Sequence, residues 1–281
     1  MGLIRRVVRS SAAVLLAMLW CAGCTKNTEP PLDLQMDAGL NRDEGGLDAG
    51  TVQDGASAVP DEQRYPLEGP FAEALAPCAA MATDARFPAP TSVDEAVARI
   101  DALPKPTSLA CFIASLPGPL SVVPSQSLLS LQPAAGRRSP RVFLVMESLI
   151  LSIVLDGDGR QLLEFGEFVD ERRTIKAEIE FPVTATLDPA APYTRIQMDG
   201  RGTQCGVCHG QEIASGEIPE AFVSIALRPL PETLVPLSEL EEAFLRCDAS
   251  AEPFRCELLT ALFAARPITQ GSFPESLPLF R

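Results

Sequence analysis

Leu149-Ile150-Leu151-Ser152-Ile153-Val154-Leu155, then Asp156-Gly157-Asp158-Gly159, then Gln161-Leu162-Leu163-Glu164-Phe165 reads as two strands joined by a tight turn. The flanking runs are rich in Val, Ile, Leu and Phe, and the turn offers two glycines. Arg141 to Glu147 precedes them as a further strand. Ile175-Lys176-Ala177-Glu178-Ile179-Glu180-Phe181 follows as the cleanest alternation in the chain. Its apolar residues fall on one side and its charges on the other, which predicts a strand with one wet face. Tyr193 to Met198 is a candidate further strand, ended by Asp199-Gly200. Connections this short suit antiparallel pairing, because a parallel crossover needs a dozen residues or more. The middle of the chain is therefore expected to form an antiparallel sheet or small sandwich.

Helical signals lie on both sides of it. Ser92-Val93-Asp94-Glu95 is a capping box, and Val93, Val97 and Ile100 share one stripe until Pro104 and Pro106 stop the helix. Ser238-Glu239-Leu240-Glu241 is a second such box, heading a helix to about Arg246. Arg255 to Ala265 carries Leu258, Leu259, Leu262 and Phe263 at helical spacing. The class is α+β, with short helices before the sheet and at the C-terminus, in one folded domain over residues 70–281.

The composition agrees with a globular chain: 281 residues, 46% hydrophobic and 21% charged. Asp and Glu number 37 against 23 Lys and Arg, a net charge of -14, so a phosphate backbone has little to bind and nucleic acid is excluded as a partner. A single histidine excludes centres built on several. No Gly-x-Ser-x-Gly elbow, phosphate-binding glycine loop or His-Glu-x-x-His is present, and no pair among the 37 carboxylates stands out as acid and base. Whether the chain is an enzyme is left open.

Address is written at the start. Arg5, Arg6 and Arg9 form a basic lead, and Ser10 to Trp20 is an uncharged, mainly apolar run of eleven residues, too short to span a bilayer and right for an export signal. Leu19-Trp20-Cys21-Ala22-Gly23-Cys24 resembles the lipobox of bacterial lipoproteins, with Cys21 where that family usually has Leu. The resemblance implies removal of residues 1–23 and acylation of Cys24, whose several acyl chains hold firmly where one chain binds marginally. An ordinary secretory signal cut nearby is the alternative, and it exports the protein as well. Thr25 rather than Asp after Cys24 implies a cell-envelope protein at the outer membrane, facing the periplasm. Residues 24–69 follow as an acidic tether. Asp and Glu occur ten times over residues 25–69, and Gly, Pro, Asn and Asp interrupt every apolar pair, so a disordered linker is expected.

The chemical signal is Cys205-Gly206-Val207-Cys208-His209-Gly210. Two thiols on one tight turn can add to the two vinyl groups of a haem while the next residue offers imidazole to the iron. A lone histidine placed at random would follow this Cys-x-x-Cys roughly once in 280 trials. The segment resembles the attachment motif of c-type cytochromes. That resemblance covers six residues and implies haem c as a covalent cofactor, Cys205 and Cys208 as thioether sites, His209 as proximal ligand, and one-electron transfer with a redox partner protein. Neither Met nor His follows residue 209, where that family usually has its distal ligand. The upstream candidates are Met198, Met146 and Lys176, and a five-coordinate iron is the alternative.

Other readings of the same residues are a Cys205 to Cys208 disulfide or exchange-active thiol pair, a Cys₄ metal site completed by Cys247 and Cys256, and an unreactive loop. Eight residues separate Cys247 from Cys256, where a metal knuckle has two to four. The competing class for the whole protein is a cofactor-free, disulfide-stapled envelope lipoprotein with a binding or structural role. With Cys24 acylated and Cys21 removed with the signal, six of the eight cysteines remain. If Cys205 and Cys208 hold haem or each other, four are left, which pair in three ways. Closure of the short loop between Cys247 and Cys256 is the simplest choice, and Cys78 and Cys111 then bracket the capped helix.

Overall fold

The structure, a computed structural model, describes residues 65–281 apart from 128, 129, 131, 199, 200, 265 and 281. The expectations for the export signal, for Cys24 and for the tether up to residue 64 lie outside the described residues. Tyr65 and Leu67, placed with the tether by composition, pack on the folded part. Tyr65 bridges to Ala264 and donates its hydroxyl to Glu241 at 2.7 Å.

The fold is α+β and is built on one large sheet. Its strands are β1 (Leu120–Ser125), β2 (Arg141–Val145), β3 (Leu149–Val154), β4 (Leu162–Phe168), β5 (Arg173–Glu180), β8 (Ile213–Ala214), β9 (Phe222–Ile225) and β10 (Ile268–Gln270), in the order β10-β1-β2-β3-β4-β5-β9-β8. A separate hairpin pairs β6 (Gln197–Met198) with β7 (Gly202–Thr203). The β3–β4 hairpin forms where the sequence places it, with Leu151 opposite Phe165. Its turn needs glycine, because Gly157 and Gly159 both have positive φ, 84° and 77°. The sheet is single rather than a sandwich. It is antiparallel except at one edge, where β10 lies parallel to β1, with Leu120 opposite Ile268. The whole domain serves as the crossover between those two strands, which short-range reading of connections does not reveal.

Helices cover one face. They are α1 (Ala72–Ala80), α2 (Val93–Ala102), α3 (Leu109–Ser115), α6 (Leu237–Leu245) and α7 (Pro253–Phe263), with the short α4 (Ala191–Thr194) and α5 (Gly206–His209) elsewhere. Val142, Leu144, Leu151, Ile153, Phe165 and Ala177 of the sheet share the core with Leu75, Ile100, Phe112 and Leu259 of the helices. At α2 the serine half of the capping box is realised, since Ser92 Oγ accepts from the Glu95 N–H at 3.2 Å, while the Glu95 carboxylate accepts from the Thr91 N–H at 2.7 Å. The second box does not form. Helix α6 starts at Leu237, with Pro236 in the cap position and no side-chain cap. The Leu237 N–H, the first free donor of the helix as it forms, donates to Gln270 Oε1 of β10 at 2.9 Å. The candidate strand Tyr193 to Met198 is also corrected: it is the end of α4 followed by the two residues of β6. Pro192 at the start of that helix presets its φ, and Tyr193 is buried.

Two disulfides close, Cys78–Cys111 and Cys247–Cys256, the pairing expected from the sequence. The first joins α1 to α3. The second ties the end of α6 to α7, which removes Cys247 and Cys256 from any metal site with Cys205 and Cys208. Among the described residues no helix is long and apolar enough to cross a membrane.

Candidate functional site

The largest departure from the sequence reading is the second face of the sheet. Alternation in β5 predicts Lys176 and Glu178 on a wet face, yet Thr174, Lys176 and Glu178 are all buried. Register carries the same side across the sheet: Ser125 lies opposite Arg141, Ser152 opposite Glu164, Glu164 opposite Glu178, and Thr174 opposite Ser224. A polar stripe thus crosses six strands, β1 to β5 and β9, and the segment that carries α4 and α5 folds over it. Arg195 closes one end, donating Nε–H to Glu178 Oε1 at 2.7 Å and reaching Glu180 at 2.9 Å. Gln132 accepts from Ser152 at 3.1 Å and donates to the Leu162 carbonyl at 2.8 Å. Period two reports only that successive side chains point to opposite faces. It does not say whether the polar face meets water or a second layer.

That layer carries the Cys-x-x-Cys-His turn. Thr203, at the end of β7, accepts the Cys205 N–H on its hydroxyl at 3.1 Å and donates that hydroxyl to Glu212 Oε1 at 2.7 Å. The Thr203 N–H also donates to Glu212 Oε2. The carboxylate packs so closely that a Cβ on Gly202 or Gly206 would lie 2.8 or 2.9 Å from Glu212 Oε2. Both glycines therefore serve the turn by making room for Glu212. From Cys205 the chain makes one helical turn: the N–H groups of Cys208 and His209 donate to the Cys205 carbonyl at 3.1 and 2.9 Å. Gly210 ends it at φ 74° and ψ -152°, a conformation that side-chain-bearing residues rarely adopt. The glycine after the histidine thus has a backbone reason.

His209 is held by its other nitrogen. Nδ1 lies 2.8 Å from the Ile225 carbonyl of β9, and since a carbonyl only accepts, Nδ1 carries the proton and Nε2 keeps its lone pair. Burial, with the cations Lys176 and Arg141 nearby, lowers the imidazole to about 3, so the ring is neutral at any ordinary pH. Cys205 is raised to about 11, chiefly by burial and then by Glu164. Its burial opposes Cys205 as the attacking sulfur of an exchange reaction, because the thiolate is the attacking species. Cys205 and Cys208 are not bonded to each other.

Cys205, Cys208 and His209 line one cleft of about 100 Å³, partly open to solvent. This is smaller than the usual ~300–1,000 Å³ of small-molecule sites. Phe143, Leu227, Pro229 and Phe280 supply its apolar wall, and Arg141, Glu164 and Arg228 its charges. The Arg141 guanidinium lies 4.9 Å from the Phe143 ring centre and is committed to Ser152 at 2.6 Å and to Ser130 and Glu164. Met198 does not join the cleft: it is 53% exposed on the β6–β7 hairpin. Met146 packs against the helix-covered core instead. Among the described residues no three His, Cys, Asp or Glu gather as a metal site. Arg228, Glu164 and Phe143 were not singled out by the sequence, since nothing in their local spacing sets them apart.

Lys176 lies beneath the turn, donating to Thr174 Oγ1. Burial lowers it from 10.5 to about 8, with Cys205 and Glu164 partly restoring it. Between those values the unfolded chain binds a proton that the folded chain has released, so stability should increase as pH rises from about 8 to 10.5. The full effect is up to roughly 3 kcal/mol. Lys176→Met should lose that slope while gaining stability at pH 7; urea unfolding at several pH values measures both.

Searches against protein-family models, curated proteins and solved structures found no match for this chain.

Proposed function

We propose that this chain is an exported, lipid-anchored protein that binds one haem covalently through thioethers at Cys205 and Cys208, with His209 as proximal ligand, and passes single electrons to a partner protein. The observation that carries the reading is the Nδ1 hydrogen bond from His209 to Ile225. It leaves Nε2 unprotonated in a cleft shared with two unbonded cysteines, and metal-bound histidines are commonly held in this way. In attachment, each Cys S–H adds across a vinyl C=C. A sulfur–carbon bond forms, the proton goes to the neighbouring vinyl carbon, and there is no net oxidation. Bound there, haem iron supplies one-electron exchange. The chain's own part is to orient the imidazole through Ile225, to present both sulfurs from one turn fixed by Thr203 and Glu212, and to supply an apolar wall. Val207, Ile213 and Ile225 are exposed around the turn, Val207 by 81%, and they offer a small apolar contact for a redox partner at the outer face of the motif. Cys24 as the acylated residue and an outer-membrane position facing the periplasm belong to the same proposal, supported by the lipobox-like stretch alone.

The test is expression in a strain with intact haem-attachment machinery. Wild type should show a Soret band, haem mass after denaturation and peroxidase stain on a denaturing gel. The Cys205→Ala, Cys208→Ala double variant should lose all the covalent haem. Colourless wild type with a Cys205–Cys208 disulfide would leave the cofactor-free, disulfide-stapled lipoprotein. The intact mass of the membrane fraction reports the acyl groups on Cys24 in the same preparation.

A further inference from the structure

A second cavity, of about 210 Å³, opens where the start of α3, the end of β5 and the first turns of α7 meet. It shares no lining residue with the cleft at His209. Leu109, Phe181 and Leu258, all buried, form its apolar part, and Phe254, half-buried against the core, adds an aromatic side. An apolar cavity of roughly 150 Å³ holds benzene, so this one has room for an alkyl stem of about four or five carbons.

The polar part of the wall is rich in acceptors. It consists of Ser108, Gln161 and Glu257, and among the described residues lining the cavity Glu257 is the only charged one. Glu257 is half-buried on α7. Burial raises its carboxyl pKa, and a hydrogen bond from Ser108 opposes the rise. Ser108 Oγ also accepts the Cys111 N–H at 3.0 Å, which fixes that hydroxyl beside the carboxylate. A carboxylate that has given up water and received one hydroxyl gains from a cation that also donates hydrogen bonds. Beside the cavity the Arg160 guanidinium lies 5.5 Å from the Phe254 ring centre and pairs with Asp156 at 3.7 Å, so this aromatic side already receives a cation.

We propose that the cavity binds a primary ammonium on a short unbranched alkyl stem, with the ammonium donating to Glu257 and Gln161 and the stem lying along Leu109, Phe181 and Leu258. A free alkylamine and the lysine side chain of a partner protein both carry that group. The site goes beyond the haem reading and does not depend on it.

NMR of the full chain, labelled on its leucine methyl groups and titrated with n-butylammonium chloride at neutral pH, tests this. The Leu109 and Leu258 methyl resonances should shift saturably. The uncharged 1-butanol, with the same stem, should bind wild type roughly tenfold more weakly, a comparison that needs no variant. Glu257→Gln should weaken butylammonium by about the same tenfold and leave butanol within about twofold of wild type. Nα-acetyl-lysine amide separates the two sources: binding within about threefold of butylammonium admits a protein lysine, and binding about tenfold weaker restricts the cavity to free amines. Wild type that binds butylammonium no better than butanol, or a preference for butylammonium that survives in Glu257→Gln, would overturn the proposal.

Discussion

Replacing Cys78 and Cys111 together by alanine should lower unfolding stability by about 4 kcal/mol, the largest loss from any single crosslink in the molecule. The bond spans 33 residues against 9 for Cys247–Cys256. On chain-entropy grounds the longer loop stabilises by about 4 kcal/mol and the shorter by about 3. Both Cys78 and Cys111 are buried, so the variant also loses packing where α1 meets α3. Urea unfolding of each double variant, followed by far-ultraviolet circular dichroism, compares the two. The chain's only tryptophan, Trp20, lies outside the described residues, so circular dichroism replaces tryptophan fluorescence as the probe. A Cys247, Cys256 variant less stable than the Cys78, Cys111 variant would contradict the ordering.

Arg266→Met should cost about 3 kcal/mol despite removing a buried charge. Burial pushes this guanidinium down to about 9, with Arg99 adding to the shift, and Nε has no partner. What offsets that penalty is carbonyl oxygen. Arg266 donates to Ala114 at 2.8 Å, to Ala261 at 2.7 Å and to Ile113, while Arg99 donates to Ser115 at 2.5 Å. The last three carbonyls of α3 thus each receive a guanidinium N–H, at the end of the helix where the macrodipole is negative. Methionine fills much of the volume and satisfies none of these acceptors. Arg266→Lys keeps a charge but cannot reach three carbonyls with a compact ammonium, so it should lose about 2 kcal/mol. Thermal or urea unfolding measures both. A Met variant as stable as wild type would mean that the buried charge costs as much as its hydrogen bonds return.

Helix α3 also shows why part of the fold is illegible in the sequence. Every residue from Leu109 to Ser115 is buried, so there is no polar face and no 3.6-residue alternation to find. The arginines that finish it are Arg99 and Arg266, and the latter lies 152 residues from Ala114. Helix α6 shows the same kind of event, since it starts one residue before Ser238 and its first N–H finds an acceptor on the distant Gln270. The parallel edge of β1 with β10 likewise joins distant ends of the folded chain.

The sequence by itself determined the elements whose signals are local. These are the β3–β4 hairpin with its two turn glycines, the Ser92 cap, and the placement of two sulfurs and one imidazole on a single turn. It also limited the disulfide pairings to a few, of which the shortest-loop choice is the one observed. Only the tertiary structure decided what faces that turn. Alternation in Ile175 to Phe181 distinguishes two sides of a strand, but burial of the polar side required the segment that carries α4 and α5 to fold back across it. That return places the Ile225 carbonyl at His209 Nδ1, Lys176 beneath Cys205, and Arg228 in the cleft. These are contacts between segments that share no local pattern, and they form because a sheet face carrying Arg141, Glu164, Lys176 and Glu178 can be buried only when another layer supplies hydrogen-bonding and charged partners.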